Sequence, residues 1–170
     1  MEFDSQGTVI KLAENETPRF VADVMLGRLT RWLRALGYDT SYDSAWDDER
    51  LAHIARAEKR ILLTRDVQLT RRRGVVSILI QDDKVLNQLR QVIRLLTLND
   101  ALAFTRCIEC NAELEELTPT EAAPLVPPFV LNTQTRFRRC PNCGRVYWRG
   151  THWTRMREVL AGLETTDGRA

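Results

Sequence analysis

The stretch Ile61-Leu62-Leu63-Thr64-Arg65-Asp66 (ILLTRD, residues 61–66) decides how this chain is expected to fold. Consecutive apolar residues are typical of a strand that is buried on both faces, as in a parallel sheet. The run stops at Thr64, so Asp66 falls at the carboxyl end of the predicted strand. Arg65 points the other way, because side chains alternate along a strand. The strand either turns at the surface here or delivers a carboxylate to a site.

The flanking segments repeat this pattern of a short strand followed by a helix. Strand-like runs occupy residues 19–22, 38–42 and 75–80. Helical spacing of apolar residues follows them in residues 24–37, after Asp47 and after Asp82, and a short polar helix or turn follows Asp66. The alternation predicts an α/β fold with a mostly parallel sheet and helices on its faces.

The composition changes near Asn99, which predicts a second, smaller domain. Residues 107–150 contain all four cysteines and five of the six prolines, without long helical periodicity. We therefore predict four parts of the chain. They are an N-terminal extension or extra edge element (1–17), the α/β domain (18–100), a zinc-ribbon domain with a closing helix (101–163) and a tail (164–170).

Bulk properties set the expected class and location. The formal charge is only +2, but residues 136–157 hold seven arginines and no acidic residue. No apolar run approaches the roughly 20 residues of a membrane span, and the first residues lack the apolar core of a secretory signal. We expect a cytoplasmic protein that does not enter a membrane.

Acidic residues gather at one predicted edge of the sheet. Each of these falls at the carboxyl end of a strand or at a helix start on the same side: Asp23, Asp43, Asp47, Asp48, Glu49, Asp66, Asp82 and Asp83. Ligands bind at this edge of open parallel sheets. Clustered carboxylates repel one another unless a cation is present, and oxygen ligands suit Mg²⁺ or Mn²⁺. Such a site can hydrolyse a phosphodiester.

A purely structural role for these acids is the alternative. An aspartate at a helix start caps the first backbone amides and complements the helix dipole. Asp23, Asp48, Asp66 and Asp82 all precede helix-like segments. Asp23 and Asp66 are the hardest to explain as caps alone, because both end apolar strands that should be central.

The cysteines have the spacing of a structural zinc site. Cys107-x-x-Cys110 and Cys140-x-x-Cys143 supply four thiolates for a closed tetrahedral centre. The 29 residues between the pairs exceed the usual 15–20, which predicts an insertion around residues 118–128. Two disulfides or unrelated thiols are the alternatives, and a reducing compartment favours metal.

A basic and aromatic segment, residues 136–157, follows the first cysteine pair and is suited to RNA. Arginines neutralise phosphates and aromatic rings stack on unpaired bases; alternatively the rings pack the small domain and the arginines face solvent. We expect Trp148 in the core. The series Arg28, Arg31 and Arg34 adds charge near the acidic edge. The RNA-binding candidates are Arg28, Arg31, Arg71, Arg72, Arg73, Arg138, Arg145, Arg149 and Trp153.

Long motifs resemble a known family. RFVADVMLGRLTRWLRALGYDT (19–40), DDERLAHIARAEKRILLTRD (47–66) and CIEC with CPNCGRVYWRGTHWTRM (107–110 and 140–156) carry the resemblance over residues 18–163. The chain resembles the PIN-like ribonuclease family named after the C-terminal domain of the Mut-seven exonuclease. The resemblance implies a PIN-like α/β/α sandwich, a C-terminal zinc ribbon and a metal-dependent RNase.

The resemblance also implies roles for particular residues. Asp23, Asp48 and Asp66 correspond to the catalytic acids, and Thr64 matches the threonine of a T-x-D motif that positions a phosphate or water. PIN nucleases carry a further acid on a middle helix, which this chain lacks. The remaining metal-ligand candidates are Asp43, Asp47, Glu49 and Asp83. The implied products carry 3′-hydroxyl and 5′-phosphate ends.

Two functions from different classes follow. The first is a Mg²⁺/Mn²⁺-dependent ribonuclease acting on single-stranded or structured RNA, with zinc in the ribbon. The second is a non-catalytic RNA- or ribosome-binding protein with a degenerate PIN-like domain. A receiver-like phospho-acceptor fits poorly, because no lysine ends a fifth strand. A regulatory protein partner and the oligomeric state are left open.

Overall fold

The computed structural model describes residues 2–3, 9–11 and 17–164 of the chain. The strands are β1 (Glu2–Phe3), β2 (Val9–Lys11), β3 (Phe20–Ala22), β4 (Thr40–Ser41), β5 (Ile61–Thr64), β6 (Ser77–Leu79), β7 (Glu115–Leu117), β8 (Phe137–Arg139) and β9 (Val146–Trp148). The α-helices are α1 (Gly27–Ala35), α2 (Asp48–Ala57), α3 (Val67–Thr70), α4 (Val85–Leu96), α5 (Pro119–Ala122), α6 (Pro128–Thr133) and α7 (Thr151–Glu164). A 3₁₀ turn at Val24–Leu26 precedes α1.

The chain divides into two compact units, residues 1–111 and 112–170. The limits predicted from sequence, 18–100 and 101–163, were drawn from motifs and composition rather than from compactness. They stay predictions. No helix in the described part of the chain combines the length and the apolar character that a membrane crossing requires.

A four-stranded sheet in the order β4-β3-β5-β6 forms the centre of the first unit, and all neighbouring strands are parallel. This confirms the predicted α/β fold with a mostly parallel sheet. The inner strands β3 and β5 are completely buried, which explains their unbroken apolar sequences. Their register pairs Ala22 with Leu63, so both strands end at the same edge.

One face of this sheet packs against α2. Val21 and Leu62 from the sheet join Leu51, Ile54 and Ala55 from the helix in one buried cluster. The helical residues recur at intervals of three and four, which places them on one side of α2. Because α2 follows β4 and precedes the parallel strand β5, it begins on the carboxyl side of the sheet.

Helix ends follow local chemistry. The first long helix, α1, ends at Ala35, two residues before the predicted end at Gly37. At Gly37 φ is +90°, and an added Cβ would collide with the Leu102 carbonyl oxygen. The third long helix, α4, begins at Val85 rather than at Asp82. Asp82 instead accepts hydrogen bonds from the Lys84 amide and the Asn87 side chain, which form a turn before the helix and lower the pKa of Asp82.

The second unit contains an antiparallel sheet in the order β7-β8-β9. Ala122, Val126, Val130 and Phe137 form its core. Trp148, expected in the core, is half-buried and packs against this cluster from its edge. The predicted insertion around residues 118–128 contains α5 and ends at the first residue of α6. A capping box starts α5, with Thr118 and Glu121 each bonding the other's backbone amide.

The chain ends are only partly described. The antiparallel pair β1–β2 lies within the predicted extension and forms a separate two-stranded sheet. The rest of the extension up to residue 16 lies outside the described residues. The predicted closing helix is α7, which runs to Glu164, and the predicted tail beyond it also lies outside the described residues.

Candidate functional sites

Asp23 directly follows the inner strand β3 and is buried, with 7% of its surface exposed. Its backbone amide donates to the Leu63 carbonyl over 3.0 Å, which continues the ladder with β5. Its carboxylate makes no capping bond to the following turn. Oδ2 instead accepts a 2.8 Å hydrogen bond from the Thr64 hydroxyl. The cap alternative therefore does not describe the Asp23 side chain.

Thr64 also holds the backbone at Asp66. The completely buried Thr64 hydroxyl accepts a 3.0 Å hydrogen bond from the Asp66 amide. The Asp66 carboxylate is exposed, and its Oδ1 accepts a 2.6 Å bond from the Gln68 amide at the start of α3. Asp66 thus caps a helix, and one hydroxyl ties it to Asp23 at the same sheet edge.

The acids at the start of α2 divide into a cap and its neighbours. Asp47, rather than Asp48, is the cap residue, and its Oδ1 accepts a 2.8 Å bond from the Arg50 amide. Asp48 and Glu49 occupy the exposed first turn, where their charges complement the helix dipole. Their carboxylates are thereby directed to solvent at the beginning of the helix.

The other acidic candidates are exposed. Oδ1 of Asp43 accepts a 2.9 Å bond from the Ala45 amide, which closes a local turn. Asp83 lies in the loop after β6. Within the residues that the structure describes, the acids do not form a group of three with all ligand oxygens inside 4.8 Å; the four cysteines do form such a group.

The sulfur atoms of Cys107, Cys110, Cys140 and Cys143 all lie within 4.8 Å of one another. Zn–S bonds of about 2.3 Å in a tetrahedron place the sulfurs roughly 3.8 Å apart. The cluster therefore fits zinc, in a C-terminal arrangement compatible with a zinc ribbon. None of the four forms a disulfide.

The two cysteine pairs have the same backbone geometry. The amide that follows each second cysteine donates to the carbonyl of the first cysteine over 3.0 Å, from Asn111 to Cys107 and from Gly144 to Cys140. Both donors have left-handed φ, +69° at Asn111 and +74° at Gly144, which glycine and asparagine tolerate best. In the second pair the Cys143 amide also points to Cys140 Sγ at 3.4 Å.

The comparison with family models decides the family. A model described as the Mut7-C RNAse domain matches residues 18–160. The chain belongs to this family. The match extends from β3 through both cysteine pairs and confirms the resemblance drawn from the motifs. Membership indicates a nuclease whose substrate class is RNA. No match to the chain was found among curated proteins or among solved structures.

The basic candidates of this Mut7-C domain occupy different settings. Arg28, Arg71, Arg72 and Arg73 are exposed. Arg31 is exposed but pairs with Glu109. Arg34, expected to add to the same charged surface, is instead buried at 5% exposure, because it lies on the core side of α1.

In the second unit of the Mut7-C chain, arginines surround an aromatic ring. The guanidinium carbons of Arg149 and Arg157 lie 5.2 and 5.5 Å from the Trp153 ring centroid. Arg138 forms a 2.8 Å ion pair with Glu116 on the neighbouring strand. Arg145 is exposed. RNA contact by these residues stays a prediction.

Sequence reasoning missed a polar network at the opposite edge of the sheet, where Asp39 and Arg60 directly precede the parallel strands β4 and β5. Arg60, 7% exposed, binds both carboxylate oxygens of Asp39 at 2.7 and 3.1 Å. Asn111 donates to Asp39 at 2.6 Å and accepts from the Thr40 amide at 2.9 Å. The sequence did offer a signal for Asn111. Each C-x-x-C pair is followed by Asn or Gly, the residues that best tolerate a left-handed backbone. Nothing in the sequence pairs Arg60 with Asp39.

Proposed function

We propose that this protein is a ribonuclease that hydrolyses RNA phosphodiester bonds, with Mg²⁺ or Mn²⁺ bound by Asp23, Asp48 and Asp66. One observation carries the proposal. The Thr64 hydroxyl contacts the Asp23 carboxylate and the Asp66 backbone at the ends of the two inner strands. Ligand sites of parallel sheets lie at this edge, and family membership indicates nuclease activity.

The environment of Asp23 fits a cation. None of the ion pairs among the described residues includes Asp23, although it is as buried as Arg60. Asp39, by contrast, has the Arg60 guanidinium as its partner. A buried carboxylate costs free energy unless a charge compensates it, and oxygen donors suit Mg²⁺ or Mn²⁺. The secondary candidates Asp43, Asp47, Glu49 and Asp83 are exposed donors for the same purpose.

A divalent cation at these carboxylates would activate a water and stabilise the leaving oxygen of the phosphodiester. The protein's own residues orient the carboxylates and bind the RNA. Thr64 fixes the rotamer of Asp23, and the exposed Arg71, Arg72 and Arg73 after α3 neutralise phosphates of the approaching RNA. The four cysteines hold zinc, and Trp153 with its arginines contacts RNA.

The proposed setting is the cytoplasm, where a reducing environment keeps cysteine thiols available to zinc. The RNA is single-stranded or structured, and a protein regulator is compatible with the proposal. The predicted products carry 3′-hydroxyl and 5′-phosphate ends, as the family resemblance implies.

A specific observation supports the second candidate, a non-catalytic RNA- or ribosome-binding protein. Asp66 and Asp47 both cap helices in this structure, which is a sufficient structural role for each carboxylate. Under this alternative the protein binds RNA in a salt-dependent way but never cuts it.

The test is an RNase assay on a panel of structured and unstructured RNAs with Mg²⁺, Mn²⁺ or EDTA. Wild type is compared with Asp23→Asn, Asp66→Asn and the matched control Asp100→Asn. Residues that act through a metal ligand typically contribute 10–100-fold, so loss of a direct ligand should reduce cleavage by about 100-fold or more. The control should cut at the wild-type rate.

Cleavage that survives EDTA, or that is unchanged in Asp23→Asn, rules out the proposed site. Salt-dependent RNA binding without cleavage under every metal condition favours the second candidate. Mass analysis of the product ends then tests the predicted 5′-phosphate.

A further inference from the structure

Arg34 is a buried cation whose hydrogen bonds end at the first cysteine pair. It lies on α1 with 5% of its surface exposed. Nε donates to the Thr40 carbonyl over 2.9 Å, and Nη1 donates to the carbonyls of Ile108 and Glu109 at 3.3 and 2.5 Å. Ile108 and Glu109 are the two residues between Cys107 and Cys110. A single guanidinium therefore binds two of the three peptide groups that connect Cys107 to Cys110.

Peptide geometry extends these contacts to the sulfurs. In a trans peptide the C=O of one residue and the N–H of the next point in opposite directions, and no cis peptide occurs in the described part of the chain. Because Arg34 attracts the carbonyls of Ile108 and Glu109, the amides of Glu109 and Cys110 face away from it. Amides turned this way can donate to thiolates, as the Cys143 amide does to Cys140 Sγ in the second pair.

Charge adds to the same effect. Burial lowers the pKa of the Arg34 guanidinium, while negative charge on the sulfurs of Cys107 and Cys110 acts in the opposite direction. Four thiolates around Zn²⁺ carry a net charge of about −2. A buried guanidinium next to them offsets part of that charge in a region where water screens little.

Asn111 holds the other end of the loop. Its backbone has the left-handed φ of +69° that closes the turn on Cys107. Its side chain donates to Asp39 and accepts from the Thr40 amide. Thr40 is thus bonded to both Arg34 and Asn111, which holds the loop against strand β4 through residues that are not zinc ligands.

We propose that Arg34 is the positioning residue of the first cysteine pair: it orients the Ile108 and Glu109 peptides so that Cys107 and Cys110 present thiolates to zinc. The inference rests on the proposed zinc occupancy of the cysteine cluster. The effect is preorganisation of a metal site by residues outside the ligand set, which commonly changes metal affinity by 10–100-fold.

The test measures zinc affinity by competition with a chromophoric chelator in the full chain. Arg34→Gln should bind zinc about 10–100-fold more weakly than wild type, and the ligand-field bands of Co²⁺ substituted into the site should shift. Arg56→Gln is the matched control. Arg56, like Arg34, lies on a helix and donates to a backbone carbonyl, that of Arg73, but it is exposed. Its affinity and Co²⁺ spectrum should equal those of wild type.

Arg34→Lys keeps the charge without the planar fork and replaces Arg34→Gln if the latter does not fold. It should bind zinc more weakly than wild type, because a single ammonium cannot reproduce the bonds to three carbonyls. Wild-type affinity and Co²⁺ spectrum in a folded Arg34 variant would overturn the inference while leaving the zinc site intact. If wild type itself takes up no zinc, the proposed site fails instead.

Discussion

Thr64 donates its hydroxyl hydrogen to Oδ2 of Asp23 over 2.8 Å, across two neighbouring parallel strands. The register places Thr64 beside the residue that follows Ala22, so the two side chains meet where both strands end. The same hydroxyl oxygen of Thr64 accepts a hydrogen bond from the Asp66 backbone amide. A threonine at this position therefore orients one candidate ligand directly and positions the backbone of another.

Replacing Thr64 with valine should separate the effect of its two hydrogen bonds from the effect of its packing. The shape is retained, but Asp23 loses a donor and the Asp66 amide loses an acceptor. Leaving buried polar groups without partners costs about 1–3 kcal/mol, and we expect a loss of that size in the free energy of unfolding. Cleavage should fall about 10–100-fold, as for residues that support a metal ligand.

Thr64→Ser is the control, because it retains the hydroxyl. Urea unfolding and metal titration of the RNase rate measure both effects. Equal cleavage by the valine and serine variants would show that the hydroxyl does not orient a working site.

The pair of Arg60 and Asp39 should make stability depend on acid pH. Burial raises the pKa of Asp39, but hydrogen bonds from Arg60 and Asn111 outweigh it and hold this pKa below its ordinary value. An unfolded aspartate has a pKa of about 3.9, so the unfolded chain takes up the proton first as the pH falls. The contribution of Asp39 is therefore complete above the unfolded pKa and is lost as the pH falls through the lower folded pKa.

Asp39→Asn removes that contribution at every pH. We expect a loss of about 3 kcal/mol near neutrality, because Arg60 loses the more buried of its two carboxylate partners, and a flatter stability profile between about pH 5 and pH 2. Glu58→Gln removes the other, half-exposed partner of Arg60 and should cost under about 1 kcal/mol. Parallel acid profiles for wild type and Asp39→Asn would contradict the assignment.

Gly37 should be intolerant of any side chain. Its φ of +90° and the approach of the Leu102 carbonyl leave no space for a Cβ. We expect Gly37→Ala to destabilise the protein by more than about 1 kcal/mol, since the native backbone is incompatible with alanine.

Gly162→Ala in α7 provides the opposite case. Nothing lies within 4 Å of a Cβ at that helical position, so the change should add up to about 1 kcal/mol of stability. Thermal unfolding of both variants measures the contrast. A neutral Gly37→Ala would show that the loop carrying Leu102 can move away.

Removal of zinc should lower the thermal stability of the second unit, and the addition of Mg²⁺ should not compensate for it. Its apolar core is small, and structural zinc in small domains contributes about 10 kcal/mol or more to folding. We expect one zinc per chain by elemental analysis and a marked fall in the thermal unfolding temperature after chelation. Zn²⁺, but not Mg²⁺, should restore it. An unchanged calorimetric profile after verified zinc loss would contradict a structural role.

Much of this protein follows from sequence. The apolar runs of β3 and β5 are typical of strands in the centre of a parallel sheet, and the ends of such strands bring Asp23 and Asp66 to one edge. Fixed C-x-x-C spacing likewise brings two sulfurs together in each pair. These features depend on local periodicity and on the direction of the strands, and both can be inferred from the amino-acid sequence.

Only the tertiary structure decided which partner each polar group meets. Asp47 rather than Asp48 caps α2, Arg34 turns inward to the first cysteine pair, and Asp39 pairs with Arg60 across 21 residues of sequence. These outcomes depend on distances between elements that are remote along the chain, and a few ångströms separate a hydrogen bond from solvation. Local sequence sets periodicity and chain direction, whereas packing sets these distances.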